Sequence, residues 1–489
     1  MNGQTGRPAT DPRMGRGVLN TPGSRPGVPV PKALPSQRLA QQAPASRGRG
    51  RTSCVLLSSR TAGTTDLVEV VMEGSGTMNP VSEAGSDDAS GEKMEVVAGF
   101  RYEERTLKYK TDGGDPDLFS VRQFEQAGMK QKIGDNITRT VLDASRKNTG
   151  CQYKEKKLLE FSPGGPLKSD QYSLLSELPF NSVLLDLLLP GKEVRLGEEW
   201  GISADLLASL LNLEAVENNT VRFTLTAIID DIAEVDFYLQ GGKNEKGEDL
   251  PSTISGAWQG ASVSTNLEGK YQFDLRNRRL TWLGVRISEQ RSGSLVEPAL
   301  DWTAVVRIRI ARLGQPEKLN NDFLETLSLK TDSDNLRLFY DGKNAPWTFY
   351  HTRNWRIIED NARNTALCLV VGGEGIAQCN ISANEQVKEG KMPSMEFYKK
   401  ELKKGLGERF GRFVKESEFK TEDGDLVYAV LVDGKFEEQS FRWLYYLITS
   451  PEGCQSSIMY EVRADKLEKF NESGLMIFNT FKMIIPEAK

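Results

Sequence analysis

Histidine is nearly absent: the 489 residues contain one, His351. A His-ligated metal, a Ser-His-Asp triad or a Cys-His dyad has to use that residue, so the commonest hydrolase and metalloenzyme constellations lack their parts. His351 stands between Tyr350 and Thr352 with no acid or nucleophile beside it, which predicts a surface or hydrogen-bonded core position. Cysteine is scarce, with five residues and no CxxC pair, so zinc-ribbon and thioredoxin spacings are excluded. Nothing approaches the roughly 18 consecutive apolar residues of a transmembrane helix. No apolar run of signal-peptide length follows the basic start. Taken literally, the start predicts a cytoplasmic chain; a start assigned too far upstream predicts an envelope or periplasmic one.

What is present is unevenly distributed. Residues 1–60 carry ten Arg and Lys against the single acid Asp11, and residues 61–96 carry eight acids against Lys93. The first 93 residues are rich in Gly, Pro, Ser, Ala and Thr and almost free of aromatics. Such a composition does not offset the entropy of ordering, and a disordered tail over 1–93 is predicted. Because no aromatics interleave with the arginines, the stretch does not read as a nucleic-acid surface. The remaining length exceeds one core, which predicts two folded domains.

From 94 to 313 the pattern is mainly antiparallel strand. In Trp302 to Ile310, Ala304, Val306, Ile308 and Ile310 alternate with Val305, Arg307 and Arg309, giving one buried and one solvated face. A helical insert interrupts the strands. Ser169 or Asp170 caps a first helix, Asn181 to Leu189 is a strongly apolar turn stopped by Pro190-Gly191, and Ser203 caps Ala204 to Leu213 with Leu206, Leu207, Leu210 and Leu211 on one stripe. The insert is expected to cover an open side of the sheet, either completing a core or closing over an apolar ligand.

A polar linker is predicted over 314–334, and a second domain over 335–489. In the latter, Met395, Tyr398, Leu402, Leu406 and Phe410 form a helix stripe, with Lys399, Lys400, Lys403, Lys404 and Arg409 as a basic face for an acidic partner or simply for water. Gly372-Gly373 marks a hairpin whose symmetric form places Cys368 opposite Cys379, as two buried thiols or a cross-strand disulfide. Candidates for chemistry are thin. Ser417-Glu418-Phe419-Lys420 has the S-x-x-K spacing but falls on a strand without companion motifs. Gly241-Gly242-Lys243 lacks the phosphate-loop spacing. The acid pairs Glu198-Glu199 and Asp230-Asp231 sit at turns, where neighbours diverge. No catalytic, cofactor-binding or metal-ligating residue is assigned.

Two resemblances add to this reading. Asn181 to Trp200, with Leu188-Leu189-Pro190-Gly191-Lys192 and Gly197-Glu198-Glu199-Trp200, and Gly269-Lys270-Tyr271-Gln272-Phe273-Asp274-Leu275 with Arg279-Leu280-Thr281-Trp282-Leu283, resemble runs in planctomycete-type bacterial proteins of unknown function. Trp200 and Trp282 are expected there as core anchors. Phe349 to Trp355, Arg442-Trp443-Leu444-Tyr445-Tyr446 and the terminal helix with Phe478 and Phe481 resemble the PsbP-type α/β/α sandwich, whose members bind protein partners or serve structurally. The fold class expected is therefore α+β, an antiparallel strand-rich domain with covering helices followed by a PsbP-like sandwich. The function expected is non-enzymatic binding or scaffolding, in the cell envelope, of a protein partner or an apolar ligand held in the strand-rich domain, with no cofactor and no nucleic acid. The alternative is a hydrolase-type enzyme with carboxylates and Ser in a cleft between the domains.

Overall fold

The computed structural model describes residues 51–79, 91–111, 115–243, 249–250, 253–258, 260–294, 296–342, 344–388 and 393–485. Strand accounts for 55% of the chain and helix for 16%, so the α+β expectation with a PsbP-like sandwich is corrected to a fold dominated by large antiparallel sheets. The chain divides into two compact units, with the break between Leu338 and Phe339.

The first unit is built on a 14-stranded sheet. Its main path runs Glu199–Trp200, Val221–Ile229, Ile232–Leu239, Ala261–Asp274, Arg279–Arg291, Ala299–Arg312, Thr65–Asn79, Glu92–Lys110, Asp117–Ile133, Asn148–Lys154 and Lys157–Phe161. Alternation fixes its faces. Val68 pairs with Tyr102 and Ile310, Val70 with Phe100 and Ile308, and Met72 with Ala98 and Val306, and all nine side chains are buried. On the opposite face Arg101 bridges Glu69 and Glu125, the latter at 2.7 Å, and Arg307 meets Glu73 at 3.1 Å. That face is charged and solvated, the reverse of the apolar band a lipid-facing strand needs.

The strand Thr65–Asn79 lies inside the predicted disordered tail, yet it sits mid-sheet between two long partners. Composition misleads here because every polar residue of Asp66, Glu69 and Glu73 has an arginine waiting on a neighbouring strand or loop, which no local window reveals. Residues 1–50 of that tail lie outside the described residues. The predicted linker is also corrected. The Glu103 carboxylate accepts the amides of Lys318 (2.9 Å) and Leu319 (3.1 Å), Arg105 donates to the Leu319 carbonyl (2.6 Å), and Leu319 is buried. The stretch after 313 is thus strapped to the first sheet.

Gly269 shows why one motif position is glycine. A Cβ there would lie 2.3 Å from the Phe237 ring and 2.6 Å from the Gly284 carbonyl oxygen, distances no side chain tolerates. Trp282, expected in the core, lies half-buried over Gly284 on the opposite face. Trp200 does reach the core, stacking on Phe223 and donating from Nε1 to the Leu188 carbonyl (3.0 Å).

The second unit is a seven-stranded antiparallel sheet in the order Trp355–Asp360, Asn364–Val371, Glu374–Ala383, Gln455–Arg463, Gln439–Thr449, Leu426–Phe436 and Phe410–Lys420. The helix Leu467–Thr480 packs on Ile458, Tyr460 and Val462 through Phe470 and Ile477, while Met395–Leu406 covers Val430, Val432 and Trp443. His351 ends the short strand Trp347–His351, which pairs with Lys482–Met483.

Candidate functional site

The inner face of the first sheet is closed by the helical insert. Helices Ser169–Ser176 and Ala204–Leu211 and the 3-10 turn Ser182–Leu188 lie against it. Local sequence shapes each piece. Ser203 Oγ accepts the Leu206 amide (3.2 Å), Asn212 ends that helix in the left-handed region at φ 55°, and Asn181 Oδ1 accepts the Val183 amide (3.2 Å). The first helix is capped one residue earlier than predicted, with the Gln171 side chain accepting the Lys168 amide at 3.3 Å. Val183, Leu184, Leu185, Leu188, Leu207 and Leu210 are all buried in the common core. Burying four side chains of the 3-10 turn stabilises its seat by about 8 kcal/mol, at roughly 2 kcal/mol each.

Beneath this apolar seat is a buried ionic cluster. Arg122 donates through Nε to Glu104 (2.7 Å), through Nη1 to Glu160 (2.8 Å), and through Nη2 to Ser182 (3.0 Å) and Asn181. Ser182 Oγ donates to Glu104 (2.7 Å), and Asn181 Nδ2 donates to Glu160 (3.0 Å). Arg60 reaches Asp186 (2.9 Å), Glu104 (3.4 Å) and Asp66 (3.5 Å), while Ser58 also donates to Asp186 at 3.0 Å. Both arginines are almost fully buried, with 4% and 6% of the side chain exposed for Arg122 and Arg60. Asn181, Ser182 and Asp186 belong to the insert; Arg60, Tyr102, Glu104, Arg122 and Glu160 belong to the sheet and its entry loop. The cluster therefore ties the plug to the frame.

Its electrostatics follow from burial. Burial pushes the Glu104 carboxyl up, but Arg122 and Arg60, with the hydrogen bonds from Arg122 and Ser182, outweigh it and hold Glu104 below the usual carboxylate range. Burial pushes Cys151, beside Asn181, well above an ordinary thiol despite Arg122. Cys151 is thus a protonated core thiol. The open space near Arg122, Tyr102, Phe180 and Leu175 amounts to about 10 Å³, room for about one water. That space is far smaller than a lipid chain needs.

The positions singled out in the sequence are not brought together. Cys368 pairs with Gln378 and Cys379 with Leu367, because Ile376 is an extra residue in the hairpin and shifts the register beyond Leu369. Cys379 is buried beside Tyr460, and Cys368 is half-buried on the other face; both are free thiols. The cross-strand disulfide, the rarer of the two readings, is therefore corrected, and of the two thiols only Cys379 is fully buried.

The cations of the predicted basic face are partly engaged within their own unit. Lys399 bridges Glu416 (2.6 Å) and Glu396 (3.0 Å) and lies over Phe413, Lys403 lies over Phe410, and Arg409 over Phe436. Lys404 stands 4.0 Å from Glu401, and Lys400 is exposed. Lys399, Lys403 and Arg409 thus lie over aromatic rings of their own unit, while Lys400 and Lys404 stand exposed. His351 is fully buried, its Nδ1 donating to the Thr352 carbonyl at 3.0 Å, and burial lowers its pKa to about 4. Ser417 and Lys420 lie exposed on the edge strand Phe410–Lys420. Asp231 is paired with Arg276 (2.9 Å), Glu198 with Lys192 (2.9 Å), and Glu199 accepts from Tyr238. Residues 244–248, after Gly241-Gly242-Lys243, lie outside the described residues. Among the described residues no three of His, Cys, Asp and Glu converge to hold a metal ion.

Sequence reasoning missed the ionic cluster because its members are scattered from Arg60 to Asp186. The available signal was a set of charged residues, Glu104, Arg122 and Glu160, inside apolar strands.

No protein-family model and no curated protein matches the chain. Among solved structures it is similar to one describing lipid-protein interactions in lipovitellin, at 8% identity and TM-score 0.29, covering 53% of this chain and 26% of that one. It is also similar to OccK7 (OpdD) of Pseudomonas aeruginosa, at 10% identity and TM-score 0.13 over 82% and 98% of the two chains. The outer membrane protein OprD from Pseudomonas aeruginosa matches at 8% identity and TM-score 0.12 over 84% and 96%. At these scores the likenesses carry no argument. Among the described residues no helix is long and apolar enough to cross a membrane.

Proposed function

We propose that the chain is a non-enzymatic binding protein whose first unit takes an apolar ligand by exchange for its own helical plug. The observation that carries this reading is the construction of the insert: leucines fill the inner face of the sheet, and the polar fastening is concentrated at Asn181, Ser182 and Asp186. The helices and the 3-10 turn of the plug contribute no strand to the frame, whose strands pair with one another along the path. An apolar molecule entering between sheet and insert has to return the roughly 8 kcal/mol that the 3-10 turn gains on burial, which selects long aliphatic chains over small solutes. The carboxylates Glu104, Glu160 and Asp186 support binding over catalysis in this reading, since each is committed to arginine.

Native mass spectrometry of the purified full chain tests this. A copurifying mass that leaves on delipidation and returns with a long-chain fatty acid is expected. A clean apo mass that takes up no fatty acid overturns the proposal.

A further inference from the structure

Asp186 is the one acid of the 3-10 turn Ser182–Leu188, and only 4% of its side chain is exposed. Its Oδ2 accepts from Arg60 Nε (2.9 Å) and from Ser58 Oγ (3.0 Å). Ser58 is itself held in place, because its Oγ accepts the Arg60 amide at 3.0 Å. Two donors of the entry loop thus converge on one carboxylate oxygen of the insert. The other carboxylates near Arg60 each have a closer arginine. Asp66 lies 3.1 Å from Arg312 against 3.5 Å from Arg60, and Glu104 lies 2.7 Å from Arg122 against 3.4 Å from Arg60. The shortest ion pair of Arg60 is therefore with the plug.

Departure of the plug takes the acceptor away from Arg60 Nε and Ser58 Oγ together. Buried donors left unmet are costly, and most so when one of them is charged. A purely apolar ligand leaves both unmet, whereas a carboxylate meets both. Leu184, Leu185 and Leu188 lie beside Asp186 on the same turn and are fully buried, so the vacated space is an anion seat continuous with an aliphatic one. We propose, on the footing of the plug-exchange reading, that the ligand is an amphiphile with one carboxylate head, seated on Arg60 and Ser58 in the place of Asp186. Its aliphatic chain follows the seats of the leucines. Asp186 is the internal stand-in for the head group, and exchanging one carboxylate for the other leaves the charge of the buried cluster unchanged.

The test is retention of radiolabelled hexadecanoate and of radiolabelled methyl hexadecanoate by the full chain on gel filtration, over a range of ligand concentrations. Hexadecanoate should bind at least about tenfold more tightly than its ester. Equal affinity overturns the head-group seat and leaves plug exchange standing; retention of neither overturns plug exchange and this proposal with it. Asp186→Asn weakens the internal stand-in and should tighten both ligands on the order of tenfold, by raising the fraction of chains open to them. Unchanged affinity in that variant means that Asp186 keeps its seat when ligand binds, and overturns the proposal. Arg60→Gln should bring the two ligands within about twofold of each other, and a preference that survives it places the head group elsewhere. Should that variant fail to fold, the wild-type preference and Asp186→Asn decide.

Discussion

The single histidine offers an unusually clean measurement. His351 is fully buried, bonded through Nδ1 to the Thr352 carbonyl, with the Phe349 ring 6.0 Å away and the Arg356 charge adding to the effect of burial. Its folded pKa is lowered from the ordinary 6.5 to about 4. Above pH 6.5 both folded and unfolded chains hold it neutral, so it exerts no pH effect. Between 6.5 and about 4 the unfolded chain binds a proton that the folded chain refuses, and stability falls as pH falls. The slope is about 1.4 kcal/mol per pH unit and the full loss about 3 kcal/mol. Because there is one imidazole in the chain, NMR of labelled histidine shows one resonance, and urea unfolding followed at that resonance reports the second unit. The resonance should stay neutral down to pH 5, and His351→Gln should flatten the stability profile between 6.5 and 5. A folded-state titration near 6.5 would refute the reasoning.

Three further expectations follow from packing and charge. Arg122→Met leaves Glu160 buried without its arginine and Glu104 with Arg60 alone at 3.4 Å and should destabilise the first unit by about 3–5 kcal/mol, read as a lowered urea midpoint; a loss under about 1 kcal/mol would mean the cluster relaxes into water. Leu185→Ala empties a fully buried site of the plug and should cost about 2–5 kcal/mol. With Cys368 and Cys379 on opposite faces, Cys368→Ser should leave the melting temperature under oxidising conditions unchanged, and a drop would restore the disulfide.

Where local pattern decided the structure, the sequence was readable. The insert was visible in Ser203, Asn181 and the Leu206, Leu207, Leu210 and Leu211 stripe, since caps and helical periodicity act within a few residues. The alternation of Ala304, Val306 and Ile308 likewise placed its strand correctly. Long-range pairing decided the rest. Thr65–Asn79 looked like tail because Glu69 and Glu73 are balanced only by Arg101 and Arg307. One extra residue, Ile376, moved Cys379 away from Cys368. Lysines read as a free face turned over Phe410 and Phe413, since a helix pattern shows what points outward and not what lies beside it. The fold class was misjudged because short helices announce themselves through caps, while strands spread their signal across distant partners.

The central claim is that the plug, and not the sheet, gives way to an apolar ligand. Hydrogen exchange of the full chain with and without a long-chain fatty acid tests it most directly. The account predicts faster exchange confined to 169–189 and 204–211, with the strands Thr65–Asn79 and Ala299–Arg312 equally protected in both states. Unchanged exchange across 169–189 and 204–211 at saturating fatty acid, or loss of protection spread over the sheet, would contradict it.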